Sequence, residues 1–241
     1  LETDRALAQP PSHPRLVRRG TPEVADWHIK YALEHGVNGF IYCWYRADFE
    51  PKIEQRLGHA IHEGLLHAKY RDRFTFTIMW ENRGHGVKDA DDLLNNVLPF
   101  WLKNYFTHPS YTKVDNMPLL FVYLPKTLMA QLGGAEGTRR TLDLMRERCR
   151  TAGLAGLRVI ACMSGPSEEL GPEMGACGFD AVTGYMLRPE VENTGVDPDG
   201  IEYRDYAEVV SRYKETWEAR DRSTGDVPDI PDLFSDIPCE W

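Results

Sequence analysis

Five short stretches of β character, centred near residues 39, 76, 119, 159 and 182, alternate along the chain with helical stretches and short connections. That alternation restricts the fold more than any other feature, because it is the pattern of a parallel α/β protein. The clearest stretch is 73–82. There Phe74, Phe76, Ile78 and Trp80 alternate with Arg73, Thr75, Thr77 and Met79, a period of two rich in aromatic and β-branched residues. It runs directly into Glu81 and Asn82, then the loop Arg83-Gly84-His85-Gly86. A carboxylate and an amide at the end of a buried strand are costly unless they are paired or used. Pairing of Glu81 with a neighbouring arginine is the plain structural alternative to a ligand-facing role.

The other elements follow from the same periodicities. Thr21-Pro22-Glu23 predicts a helix start, and Gly36 its C′ position. Residues 37–45 are apolar nearly throughout, as in a strand covered on both faces. Helices are predicted over 50–68, 90–105, 137–152 and 168–174, with a last one from 203 to between 216 and 220. Strands are predicted over 118–123, 157–163 and 179–185. A Pro/Arg-rich lead (1–20) precedes the α/β domain (21–225), and a Pro-rich tail (226–241) follows it.

No GxGxxG follows a strand and no GxxxxGK[ST] occurs, so a nucleotide-binding doubly wound sheet loses ground to a (β/α) barrel. Gly133-Gly134-Ala135-Glu136-Gly137 precedes a helix without a lysine and reads as a turn. Five strand–helix units are visible where a complete barrel needs eight strands. The pattern is therefore a barrel lacking about three strands or an open five-stranded sheet.

The chain has 241 residues, 42% of them hydrophobic, with a net charge of −9 and a sequence pI near 5.4. That balance argues against nucleic acid or an anionic membrane surface as a partner. No apolar run approaches the roughly 18 residues of a membrane span. The five cysteines, Cys43, Cys149, Cys162, Cys177 and Cys239, show no ligand spacing, so no zinc site is predicted. Cys43 and Cys162 fall inside strands and read as buried thiols. His59, His62 and Glu63 share one helical stretch but lack a zinc spacing, and Ser164-Gly165 lacks the elbow of a serine nucleophile. No cofactor is implied.

In a parallel barrel the carboxyl ends of the strands collect on one rim, where ligand sites form. Those ends carry Trp44, Tyr45, Arg46 and Asp48, then Trp80, Glu81, Asn82 and His85, then Tyr123, Met163, Ser164, Tyr185 and Arg188. Flat rings suit the apolar faces of sugars, and amides, guanidiniums and carboxylates suit their hydroxyls. Glu81 and Asp48 are the candidate catalytic pair, since glycoside hydrolysis uses two carboxylates. Trp44, Tyr45, Trp80, Asn82, His85, Tyr123 and Tyr185 are the candidate sugar-binding residues. A thiol-dependent enzyme using Cys43 is a distant third reading.

Several segments also resemble, in order, the glycoside hydrolase family 99-like proteins, a group that includes WbsX-type glycan enzymes. They are Pro22–Ala32 with Gly36–Tyr45, Asp72–Asn82, Tyr105–Tyr111 with Met117–Tyr123, and Phe179–Tyr185. Together they span about residues 21 to 185. The resemblance implies a (β/α)8 barrel acting as a glycoside hydrolase on α-linked oligosaccharide or polysaccharide, endo-α-mannosidase activity included. It also favours a secreted or periplasmic location. Two family features are absent: an early Tyr-x-Pro-x-Trp strand before residue 20, and a late Asn-Glu-Trp-x-Glu-Gly segment. The family's catalytic glutamates therefore have no counterpart to carry over, and the chain reads as a truncated or divergent member. The alternative is a non-catalytic glycan-binding or scaffold chain. Open barrel edges would invite pairing into a homo-oligomer.

Overall fold

The computed structural model describes residues 20–84, 86–163, 170–185, 189, 191, 192 and 194–224. The predicted lead and tail, apart from Gly20, fall outside those residues.

The first helix, Pro22–Glu34, starts after Thr21, whose backbone is extended although its side chain makes no capping bond. It ends as predicted at Gly36, whose φ of 80° places it in the left-handed region. The Gly36 N–H bonds to the Leu33 carbonyl and the Val37 N–H to that of Ala32, a Schellman closure. The chain then enters β1 (Gly39–Arg46) and turns back into the two-residue β2 (Gln55–Arg56). Tyr45 pairs with Arg56 and Arg46 with Gln55 in this antiparallel hairpin. The helix predicted over 50–68 is thus shorter than its periodicity suggested. Residues 50–58 form the hairpin, and only Ala60–Gly64 and Leu65–His67 coil, as a π turn and a 3-10 turn. The reason lies at Pro51, which lacks an N–H donor, and at Leu57, held at a φ of 57°.

The strand 73–82 forms β3 (Thr75–Trp80). A continuous helical stretch over 90–106 follows, interrupted by π turns at Leu93–Val97 and Leu102–Phe106. Next come β4 (Lys113–Val114), β5 (Met117–Val122), the helices Pro125–Leu132 and Gly134–Thr151, β6 (Arg158–Met163), the helix Leu170–Ala176 and β7 (Ala181–Gly184). The glycine-rich segment is the predicted turn. Gly133 and Gly134 have φ of 85° and 83°, and a Cβ on Gly137 would stand 1.9 Å from the Leu132 carbonyl oxygen. A hairpin of β8 (Gly195–Val196) and β9 (Glu202–Tyr203) leads to the last described helix, Tyr206–Thr224.

Five strands, β1, β3, β5, β6 and β7, lie side by side in chain order and pair in parallel throughout. A doubly wound sheet reverses its order at a switch point; this one does not. Sequential parallel winding is that of a (β/α) barrel, here represented by five of its strands. The two faces of the sheet differ. Phe40, Tyr42 and Trp44 of β1, with Phe76, Ile78 and Trp80 of β3, join the main core against the helices between residues 22 and 176. The other face carries a smaller apolar cluster of Met79, Leu119, Phe121, Ile160, Cys162 and Ala181, with Cys43, Tyr123 and Tyr185 packed beside it.

Candidate active site

Strand alternation decides which rim residues share a face. Register aligns Cys43, Met79, Phe121, Ile160 and Ala181 across the five strands. Two residues further along, on the same face, stand Tyr45, Glu81, Tyr123, Cys162 and Thr183. The ladder continues to that level, since the Glu81 N–H bonds to the Trp44 carbonyl and the Tyr123 N–H to that of Trp80. Each strand therefore steps from a less polar to a more polar side chain as it reaches the rim. The second row is a polar layer resting on an apolar floor.

Contacts among these side chains make the row a cluster. The Tyr123 and Tyr185 rings meet edge to face, 4.7 Å between centroids. Arg83 donates from Nη2 to the Tyr123 hydroxyl at 2.9 Å, and its guanidinium lies 5.3 Å from the centre of that ring. Its Nε is 3.9 Å from Glu81 Oε1. The plain alternative considered for Glu81, pairing with a nearby arginine, is thus present as a long contact. The Glu81 side chain still keeps about a fifth of its surface open, and Arg83 two thirds. Beneath the row, Cys43 of the floor lies two residues before Tyr45 on the same strand and interacts with it electrostatically.

The electrostatics hold the neighbours of Glu81 neutral. Burial pushes the Tyr45 phenol up to about 12, with the Cys43 and Glu81 charges adding to the effect. Burial likewise raises the Tyr185 phenol. The Cys43 thiol is raised by burial and by Glu81, against an opposing interaction with Tyr45. The thiolate needed by the Cys43 reading is disfavoured for the same causes. The row thus offers neutral hydroxyl donors, one carboxylate acceptor and one guanidinium, the mixture that binds polyhydroxylated ligands.

The structure distributes the predicted site residues over different surroundings. Tyr45, Glu81, Tyr123 and Tyr185 come together. Trp44 and Trp80 point to the opposite face, fully buried, each with its ring centroid 5.2 Å from that of Trp101. The physical reason is the period of two: each is one residue away from the row. Asn82 is also fully buried. Its Oδ1 accepts from the Leu124 N–H and its Nδ2 donates to the Leu124 carbonyl, both at 2.9 Å. Those bonds fasten the end of β3 to the end of β5. Asp48 is exposed in the β1–β2 loop, where its Oδ1 accepts from the Phe49 N–H at 2.6 Å. No contact between Asp48 and Glu81 is found among the described residues. His85, Ser164 and Arg188 lie outside those residues.

Arg46, also on the predicted rim, is a structural cation. Its guanidinium grips Asp92 with two bonds of 2.6 and 2.9 Å and donates to the carbonyls of Gly86 and Glu50. Burial alone would raise the Asp92 carboxyl. Hydrogen bonds from Arg46, Asn96 and the Lys88 N–H, with the Arg46 charge, outweigh it and bring the value to about 2. Sequence reasoning missed Arg83, Cys162 and Thr183 as members of the row. For the last two, counting by twos from Ile160 and Ala181 would have found them.

Among the described residues no helix is long and apolar enough to cross a membrane, and no group of three or more His, Cys, Asp or Glu could hold a metal. A family model described as Glycosyltransferase WbsX matches residues 11–229. Among solved structures, the chain is similar to a GH99 endo-alpha-mannosidase from Bacteroides thetaiotaomicron. The identity is 17% and the TM-score 0.49, over 70% of this chain and 45% of that one. A second structure, a GH99 endo-alpha-mannosidase from the same genus and species in complex with bis-tris-propane, gives 16% and 0.47 over 83% and 53%. The chain thus spans about half the length of these proteins. None of the curated proteins matches it.

Proposed function

We propose, for a chain that belongs to the WbsX glycosyltransferase family, that the polar row at the carboxyl ends of the strands binds an α-linked glycan and serves its hydrolysis. The observation that carries this reading is the concerted step from apolar to polar on one face of five parallel strands. That step ends in Glu81, flanked by three tyrosines and Arg83. Glu81 accepts hydrogen bonds from sugar hydroxyls. Tyr45, Tyr123 and Tyr185 supply neutral donors and ring edges, and Arg83 braces the Tyr123 side of the pocket.

In the hydrolytic reading Glu81 is one of the two carboxylates that cleavage needs and Asp48 the other. The competing reading, a glycan-binding chain without catalysis, is supported by a specific observation. Asp48 caps its own loop and Glu81 faces Arg83, so the two acids have different partners. Incubation with a panel of α-linked oligosaccharides, following binding and released reducing ends together, separates the two. Hydrolysis that falls in both Glu81→Gln and Asp48→Asn supports the enzyme. Binding that falls only in Glu81→Gln, with no turnover in the parent chain, supports the binder. Glycan binding and turnover untouched by Glu81→Gln would sink both.

A further inference from the structure

Arg83 opens the loop behind β3, two positions past Glu81, and its guanidinium lies against the Tyr123 ring of the row. A guanidinium carries five N–H donors in a planar fork. Tyr123 takes one of them, from Nη2 at 2.9 Å. Glu81 stands on the Nε side, and its separation of 3.9 Å is too long for a hydrogen bond. Among the described residues no other acceptor meets the group, and two thirds of the side chain is open. The far edge of the fork, between the two Nη atoms and opposite Nε, is therefore available to a ligand. Arg46, the cation at the end of β1, is the contrast. Asp92, Gly86 and Glu50 take its donors, and it is fully buried.

We propose that Arg83 selects for an acidic glycan: the row takes an α-linked oligosaccharide with a uronic acid unit, whose carboxylate binds end-on to the two Nη atoms. The inference rests on the reading of the row as a glycan site and names the class of glycan. Three observations support it. The first is the shape of the open edge. Two parallel N–H donors match the two oxygens of a carboxylate, whereas a neutral hydroxymethyl group offers one oxygen. The second is anchorage. The bond and ring contact with Tyr123, itself 4.7 Å from Tyr185, fix the guanidinium to the row. A uronic acid carries its carboxylate directly on the pyranose ring. A unit resting on the tyrosines therefore brings its charge to the guanidinium beside them.

The third observation is charge. Burial keeps the Tyr45 and Tyr185 phenols neutral, so Glu81 and Arg83 carry the charge of the row. Arg83 has no short ion pair among the described residues, and its attraction for an anion is not spent. Glu81 lies towards Nε, so a carboxylate on the Nη edge has the guanidinium between itself and Glu81. A phosphate dianion there meets Glu81 with twice the charge and is the poorer fit. A wholly neutral glycan leaves the Nη edge to water.

The test uses the full chain. α-Linked trigalacturonate, its methyl ester, α-galactosyl phosphate and neutral α-linked mannan and glucan oligosaccharides are titrated calorimetrically into the parent, Arg83→Met and Arg83→Lys. The ester is the neutral twin of the acid. The expected result is about tenfold tighter binding of the acid than of the ester in the parent. That ratio falls to about one in Arg83→Met and recovers only in part in Arg83→Lys, which keeps the charge without the fork. Acid and ester are compared on the same protein, so a loss of affinity common to both, from a disturbed Tyr123, cancels. Equal binding of acid and ester by the parent overturns the selection and leaves the reading of the row intact. So does an acid advantage that survives Arg83→Met, and so does binding of the neutral glycans with neither galacturonide bound. Galactosyl phosphate bound more tightly than the acid, and lost in Arg83→Met, overturns it in favour of a phosphate site. Absence of binding by every glycan, acidic or neutral, removes the functional reading and this inference with it.

Discussion

The two faces of the sheet use neighbouring residues for opposite ends. On the helix side, Trp44, Trp80 and Asn82 are fully enclosed, and Asn82 is saturated by bonds to Leu124. On the other side Tyr45, Glu81 and Tyr123, one position away along the same strands, remain half-buried and partly open. The lesson is that position along a strand sets how near a residue stands to the rim. Parity sets whether it packs into the main core or lies on the opposite face of the sheet. The side chains of the first group hold the sheet to its helices; those of the second are held in place by it.

The strongest test of that division is Arg46. Replacing it by Ala strips the partner from a buried carboxylate and should destabilise the fold by about 3–5 kcal/mol in urea unfolding. The same pair gives a pH signature. Asp92 sits at about 2 instead of 3.8, so its contribution is complete above about pH 4. It is lost as the pH falls through 2, amounting to about 2 kcal/mol. An acid unfolding profile shared by the parent and Asp92→Asn between pH 4 and 2 would contradict this.

Trp80→Ala comes next, with a loss of about 3–5 kcal/mol from the cavity it leaves. Trp80→Phe is milder and should keep glycan affinity within about twofold. If Trp80→Phe weakened binding as much as Glu81→Gln, the faces would not be divided as described. Asn82→Ala leaves the Leu124 N–H and carbonyl unpaired and should lose about 1–3 kcal/mol of stability. Its thermal midpoint should drop while Glu81→Gln remains within about 0.5 kcal/mol of the parent.

Glu81→Gln should instead weaken oligosaccharide binding about tenfold, near 1.4 kcal/mol, as expected for removing a charged acceptor. The smallest effect is expected from Tyr123→Phe, which removes only the hydroxyl that Arg83 grips. About 0.5–1.5 kcal/mol of stability should go, with binding reduced a few-fold. Comparing the two on a common titration sharpens the picture of the row, because Glu81 and Tyr123 meet through the same guanidinium.

Much of this was legible in the sequence. All five parallel strands stand where the periodicity put them, because apolar alternation depends on local pattern alone. The barrel-type order was foreseen as one of two alternatives, and pairing in chain order separates it from a doubly wound sheet. The WbsX-type resemblance is met by the family match over residues 11–229. The hairpin at Gln55–Arg56 was hidden inside an apparent helix, since the positive φ at Leu57 that separates it from the helical turns after it is not signalled by composition. Which strand-end residues share a face was not legible. Trp44 and Tyr45 looked equivalent as strand-end aromatics, and only the burial of the first distinguishes them. Arg83 escaped because a loop residue's direction depends on tertiary contacts, here with Tyr123 and Glu81.

The chain-order pairing of the strands also bears on how the molecule assembles. Each new parallel strand lies beside the one made just before it. The pairings close between 21 residues, from Ile160 to Ala181, and 42, from Ile78 to Leu120. None of the five described parallel strands has to wait for a distant part of the chain to meet its preceding neighbour. During synthesis, each can dock on a template already present as it emerges, and the entropy of closing each loop stays moderate. The row that holds Glu81 is therefore completed one residue at a time, from Tyr45 towards Thr183, in the order in which the chain is made.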